Sequence, residues 1–258
     1  MQESFSHIAP RYDLDFTHTS IGVKQRRQVY KVLLPFLSKK HSVLEVNGGT
    51  GEDAVFLASH CQTVLTTDIS PEMVALAESK TRGLHNVSTD VLDLNDLASL
   101  QEGDYSLIFS NFGGLNCLSP KEVGLFLKNA CDLLSTNGMI IAVIMGRKTL
   151  WERLYFTLKR DGENKRRRRG SSPVKSNVKG KMVKTWYYSP SEIKTLLPPS
   201  LRCVKIRPIG LLVPPSYLQT FFNQKKVFLN VLYFLDGLLG STGSDYADHY
   251  CICVKKEG

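Results

Sequence analysis

A glycine loop and two acids downstream of it carry the residues of this chain whose types and spacing could do chemistry. Glu45, Asn47, Gly49 and Gly51 stand as E-x-N-x-G-x-G, with Gly48 inside the run. The apolar residues Val43, Leu44 and Val46 precede the loop, and Asp53-Ala54-Val55-Phe56-Leu57 after it reads as the start of a helix. Glycine lets such a turn pass through positive φ and lets a ligand lie against the main chain, while the helix N-terminus offers unpaired N–H groups. The spacing matches neither the dinucleotide form G-x-G-x-x-G nor the P-loop form G-x-x-x-x-G-K-[ST]. Asn47 is the non-glycine type that best tolerates the left-handed region.

The first of the acids is Asp68, which ends the β-branched stretch Thr63 to Asp68. At about 20 residues past a glycine loop, an acid in a doubly wound sheet can accept both hydroxyls of a ribose. Ser70 then reads as a helix N-cap with Pro71 at the first helical position. Each residue also has a plainer role: a strand-ending acid can cap a helix, Met73 can be core, and Gly113-Gly114 can be a simple turn.

Together these residues resemble the class I S-adenosylmethionine-dependent methyltransferases. The glycine loop resembles their first motif, usually [DE]-x-G-x-G-x-G, with Asn47 in place of the first glycine. Asp68-Ile69-Ser70-Pro71-Glu72-Met73 resembles the second, whose methionine commonly packs on adenine. Asn86 to Leu94 resembles the third, which implies Asp90 near the adenine amino group and Val91 against the ring. Asp104 to Asn116 resembles the fourth strand and its cofactor-facing loop, Ser110, Asn111 and Phe112. Upstream, Phe5-x-x-Ile8-Ala9-x-x-Tyr12-Asp13 resembles a lid helix whose tyrosine closes over cofactor and substrate; the alternative is a surface helix on the sheet edge. The resemblance covers residues 5–145. It implies S-adenosylmethionine as cofactor, held by Tyr12, Glu45, Asn47, Gly48, Gly49, Gly51, Asp68, Ile69, Met73, Asp90, Val91, Ser110, Asn111 and Phe112.

The elements that must position these residues alternate from 43 to 144: strand 43–46, helix 52–60, strand 63–67, helix 71–82, strand 86–90, strand 105–110, helix 120–135 and strand 138–144. Such alternation predicts an α/β fold with a parallel sheet and ligands beyond the carboxyl ends of its strands. The family form is a doubly wound, mostly parallel, seven-stranded sheet with the last strand antiparallel. Lid helices are expected over 1–40, the cofactor-binding core over 41–146, a basic cap over 147–188, and the end of the core over 189–258. An amphipathic helix over 149–159, a polar, mobile stretch over 166–180 and a strand over 182–188 make up the cap. An apolar helical addition over 210–248 falls between strands 201–209 and 250–255, and its aromatic residues Tyr217, Phe221, Phe222, Phe228, Tyr233 and Phe234 read as core.

The net charge of +9 is concentrated in one segment. Lys159 to Lys184 holds eleven basic residues and two acids, and the rest of the chain cancels. A mobile element that attracts an anionic substrate is expected there. Six scattered cysteines without C-x-x-C predict reduced thiols and no metal site. Met1 to His7 lacks a basic start followed by an apolar run, and Val227 to Leu239 is too short to span a bilayer. A soluble, cytoplasmic enzyme is expected.

Methyl transfer from a sulfonium is an in-line displacement that needs alignment and exclusion of water. A base is useful where the acceptor is protonated, and histidine suits neutral pH. His18 in the lid and His249 at the start of the last strand are the candidates. No N-P-P-Y-type motif stands at Ser110 to Gly113, which argues against nucleic-acid bases and protein amides as acceptors. The leading expectation is a methyltransferase (EC 2.1.1 class) acting on oxygen, nitrogen or carbon of an anionic or apolar metabolite. The alternative is an RNA methyltransferase using the basic segment; a third reading, an inactive fold used for binding, would bind cofactor without turnover.

Overall fold

The computed structural model describes residues 6–100, 103–178 and 181–257. Phe5 of the lid pattern, with Lys179 and Gly180 of the basic segment, lies outside the described residues. After two short turns at Ala9–Arg11 and Asp13–Thr17, helix α1 runs over Ser20–Leu33. There follow β1 (Ser42–Val46), α2 (Glu52–Ala58), β2 (Thr63–Asp68), α3 (Pro71–Thr81), β3 (Val87–Val91), β4 (Tyr105–Ser110), α4 (Pro120–Leu133) and β5 (Leu134–Met145). The expected helices end one or two residues early and the third strand is shifted by one, the usual uncertainty at frayed ends. Beyond them come α5 (Leu150–Leu158), β6 (Val174–Val178), β7 (Lys181–Thr185), α6 (Pro190–Thr195), β8 (Leu201–Ile209), α7 (Gln219–Asn223), α8 (Lys226–Leu238) and β9 (His249–Lys256).

Seven strands form one sheet in the order β3-β2-β1-β4-β5-β9-β8. β9 pairs antiparallel with both β5 and β8, while β1 to β5 pair parallel. The central strands are covered on both faces, so their sequences are continuous apolar runs; Leu44, Ile108 and Phe109 are fully buried. The order reverses at β1 and β4, which opens a crevice beyond their carboxyl ends. Local signals start the flanking helices there. The Ser70 hydroxyl accepts from the Met73 N–H at 3.2 Å, and Ser119 and Ser189 each form a reciprocal cap with a glutamate three residues on.

The basic segment departs from expectation. Residues 174–178 pair antiparallel with 181–185 as a two-stranded hairpin, and Asn164–Arg169 forms a 3-10 turn. Arg168 is 6% exposed and ion-paired with Glu152 (2.7 Å) and Asp248 (3.2 Å). The stretch is therefore not one mobile, solvated loop. Two buried carboxylates need a buried cation, and Arg168 provides it.

The apolar addition departs as well. Phe222 is buried with Ile21, Val213 and Leu229, but Tyr217, Phe221, Phe228 and Phe234 are exposed. Helical spacing marks an apolar stripe without saying whether a partner covers it. No helix among the described residues is long and apolar enough to cross a membrane.

Candidate active site

Two adjoining cavities lie beyond the carboxyl ends of β1, β2, β4 and β5. The first, about 120 Å³, is lined by Tyr12, Asn47, Gly49, Asp68, Ile69, Met73, Leu92, Asp93, Leu94, Asn111 and Phe112, with Gly113, Gly114, Cys117 and Leu118. The glycine loop is built as its spacing implies. Asn47, Gly49 and Gly51 all take positive φ, and a Cβ at Gly49 would meet nothing within 4 Å, so the main chain there is open to a ligand. Gly51 instead presses on Ala77, where a Cβ would come within 2.9 Å of backbone. The Gly49 N–H donates to one oxygen of Asp68 (3.0 Å) and the Ser70 N–H to the other (2.9 Å), which fixes the acid on the cavity wall. Burial pushes the Asp68 carboxyl up, against these N–H donors.

Tyr12, Asn47, Gly49, Asp68, Ile69, Met73, Asn111 and Phe112 are thus brought together. Others of the expected set stand behind the wall. Glu45 is buried under the loop, and burial holds its carboxyl well above the usual range, with the charge of Asp53 adding to it. The Gly48 N–H donates to the Thr67 carbonyl at 2.8 Å, and the Ser110 hydroxyl donates to the Asn47 side chain at 2.8 Å. Asp90 and Val91 are exposed and absent from the wall, where Leu92, Asp93 and Leu94 stand instead. Both residues still belong to β3, and the chain turns inward only past its end. The acid that lines the cavity is Asp93, three residues past Asp90.

The second cavity, about 290 Å³, is lined by residues from seven stretches of the chain. The lid and α1 give Ile8, Phe16, Thr17, Gln25 and Arg26; the cap gives Arg168, Ser176, Val183, Thr185 and Tyr187; Pro215 to Tyr217 and Asp248-His249 close it. Four residues, Tyr12, Phe112, Gly113 and Cys117, line both cavities. Phe112 is the partition. It takes φ +42°, its ring lies 5.1 Å under the Arg26 guanidinium, and the His249 ring meets it edge-on at 5.6 Å. A bulky residue in the left-handed region is strained, and such strain persists where surroundings over-determine it. Cys117 beside it is a thiol at neutral pH, since burial pushes it up to about 11.

Among the described residues, His249 carries the one imidazole on the walls of either cavity. Its Nδ1 lies 3.3 Å from the Asp248 carboxylate, which Arg168 grips from the other side. Burial alone would raise the Asp248 carboxyl, but His249 and Arg168 outweigh it and hold the group well below the usual carboxylate range. His18, the other candidate, is not brought to either cavity. It ends the turn Asp13–Thr17, is exposed, and lies 3.8 Å from Glu52. Ligand atoms of Asp13, His18 and Glu52 fall within 4.8 Å of one another, but Lys80 already pairs with both acids, at 2.7 and 3.1 Å. This cluster latches the lid to α2 and α3. Ile8, Ala9 and Tyr12 pack with Met73 and Leu76, so the lid sits on α3 over the crevice and not on the sheet edge.

Arg26 and Asp53 escaped the sequence reading. Asp53 accepts from Tyr30 (2.7 Å) and Asn111 (2.8 Å) and pairs with Arg26, so α1, α2 and the loop after β4 meet on one carboxylate. Their only signal was a polar run, Gln25-Arg26, on the buried face of an amphipathic helix.

Residues 43–138 match the family model described as methyltransferase domain. The chain is 35% identical over 151 residues to a ubiquinone/menaquinone biosynthesis C-methyltransferase of Citrifermentans bemidjiense, which covers 57% of this chain and 63% of that protein's length. Among solved structures, DhpI in its complex with SAM and HEP aligns over 97% of this chain and 94% of its own, at a TM-score of 0.61 and 18% identity. The N-methyltransferase NodS of Bradyrhizobium japonicum, with S-adenosyl-L-homocysteine, aligns over 93% of this chain and 89% of its own, at 0.55 and 13%. Residues 43–138, which hold the glycine loop and the fixed Asp68, thus match a methyltransferase domain, and the seven-stranded chain has the fold of these solved structures.

Proposed function

We propose that the chain transfers the methyl group of S-adenosylmethionine to oxygen, nitrogen or carbon of a small-molecule acceptor. One observation carries the reading: a glycine-loop cavity and an adjoining second cavity that share a wall at Tyr12, Phe112, Gly113 and Cys117. S-adenosylmethionine, when bound, supplies an electrophilic methyl group. Gly49 offers open backbone to its amino-acid portion, Asp68 accepts from the ribose, and Leu92 to Leu94 with Met73 enclose the base in place of Asp90 and Val91. The four residues of the shared wall set the two cavities side by side, so a donor in one and an acceptor in the other can be aligned, which is a main demand of an in-line displacement.

In the second cavity His249 is the residue that takes a proton from the acceptor. Its Nδ1 faces the carboxylate of Asp248, so the lone pair for a proton resides on Nε2. Asp248 keeps its charge through the neutral range and orients the ring; Arg168 positions Asp248. His18 serves the lid latch. Apolar walls with one charged end suit an acceptor with an apolar body and a single polar reacting group. The lid over 1–40, core over 41–146, cap over 147–188 and closing part over 189–258 are the units of that site. Six unpaired cysteines fit a reducing, cytoplasmic setting.

The test is transfer of radiolabelled methyl groups from S-adenosylmethionine into a cell extract fractionated into metabolites, RNA and protein. Label among the metabolites is expected. Label confined to RNA would replace the acceptor class, and binding of NAD instead of S-adenosylmethionine would overturn the cofactor assignment.

A further inference from the structure

Many of the exposed large apolar side chains among the described residues fall on the outer sides of α5, α7 and α8. In α8 only Leu229 and Asp236 are buried; Val227 is 79% exposed, Leu238 67%, Phe234 65%, and Phe228 and Val231 about half. Phe221 of α7 and Leu154 and Leu158 of α5 extend the same character. The three helices share one inner core, where Trp151, Phe222 and Leu229 pack together, so their opposite faces are the ones left outside. A continuous apolar face on this scale marks a surface for a protein or a membrane.

Charge decides between the two. The acids borne by these three helices are Glu152 and Asp236, and both are buried: Glu152 pairs with Arg167 and Arg168, and Asp236 accepts from Gln28 and from the Val213 N–H. The cations at the helix ends, Lys159, Arg160, Lys225 and Lys226, are exposed, and the Lys225 ammonium sits 4.1 Å from the Phe221 ring centre. Beyond Lys159 the chain continues into the basic segment, which adds to the same sign. Asp161 and Glu163 follow Arg160, but Lys159 to Lys184 holds eleven basic residues against these two acids, so a second copy docked about a two-fold axis would set an excess of cations against their own mates. An anionic lipid surface answers both features, taking the apolar face at the acyl boundary and the ammonium groups at the headgroup phosphates.

We propose that the outer face of α5, α7 and α8 docks this chain on anionic membrane, lying in the interface without crossing it. The full chain is floated with phosphatidylcholine vesicles that contain or lack phosphatidylglycerol. Binding is expected on the anionic vesicles, weakened by salt and absent on the neutral ones. Phe234→Ser with Leu238→Ser, at exposed positions that leave melting unchanged, should reduce binding more than about tenfold, and so should Lys225→Glu with Lys226→Glu. Failure of the unaltered chain to float with anionic vesicles overturns the proposal, as does equal flotation of either double variant. A dimer in sedimentation velocity that Phe234→Ser with Leu238→Ser disperses, without vesicle binding, would assign the face to a second copy.

Discussion

The two chambers of the site are assembled in opposite ways. The first is made mostly of consecutive residues at the ends of β1, β2, β3 and β4, each positioned by its own strand and turn. The second takes side chains from the lid, α1, the hairpin, the turn before α7 and the start of β9, none of which forms a wall alone. A chamber of the first kind is fixed once the sheet forms. A chamber of the second kind exists only when distant segments are held against one another, here by the buried Glu152–Arg168–Asp248 pairs and the Arg26–Asp53 pair. Its geometry can change with the segments while the first chamber stays the same, which suits a fold whose activity is set by the site built on it.

That contrast is most exposed at Arg168. Arg168→Met leaves two buried carboxylates without their cation and should cost about 3 kcal/mol of stability, read as a fall in the urea midpoint. A loss under about 1 kcal/mol would mean that the second chamber is not held by these pairs. His249→Ala should lower turnover roughly 10²-fold with S-adenosylmethionine affinity intact, separating the chambers kinetically. Full turnover in that variant would leave alignment alone to account for the reaction. In the first chamber Asp68→Ala should weaken cofactor affinity by about 2 kcal/mol, ~30-fold, by titration calorimetry; unchanged affinity would remove Asp68 from the ribose.

A smaller effect follows from Asp248. Its carboxyl titrates lower in the folded chain than its ordinary value of 3.8, so the stability it contributes is complete above that value and is lost as pH falls below it. Asp248→Asn should flatten the acid limb of a stability profile while leaving its alkaline limb alone. An unchanged acid limb would show that Arg168 and His249 do not favour the ionised form.

The same difference explains what the sequence revealed. Asn47, Gly49, Asp68 and Met73 were legible because a strand, a turn and a helix start are local patterns, and the structure sets all four on one wall. Asp90 and Asp93 were not separable because β3 ends in a run with acids at both positions, and only the turn after Val91 decides which of them lines the cavity. His18 was weighed equally with His249 because nothing local shows that one closes a lid latch and the other stands beside Phe112. Arg168 is one of four consecutive arginines, and composition treats them alike; burial against Glu152 and Asp248 separates it from the exposed Arg166 and Arg169. The exposed face of α8 could not be told from a core face, since spacing records amphipathicity and not its partner.

Asn47, where the family usually has glycine, fills a place that another residue vacates. Its side chain donates to the Asn111 carbonyl at 3.0 Å, and a Cβ on Gly114 would fall 2.1 Å from its Cγ. The side chain of one loop thus occupies the volume that a side chain on the other would need. The two positions should drift together among relatives of this chain: those that keep glycine at 47 are free to carry a side chain at 114, and those with asparagine at 47 are held to glycine there.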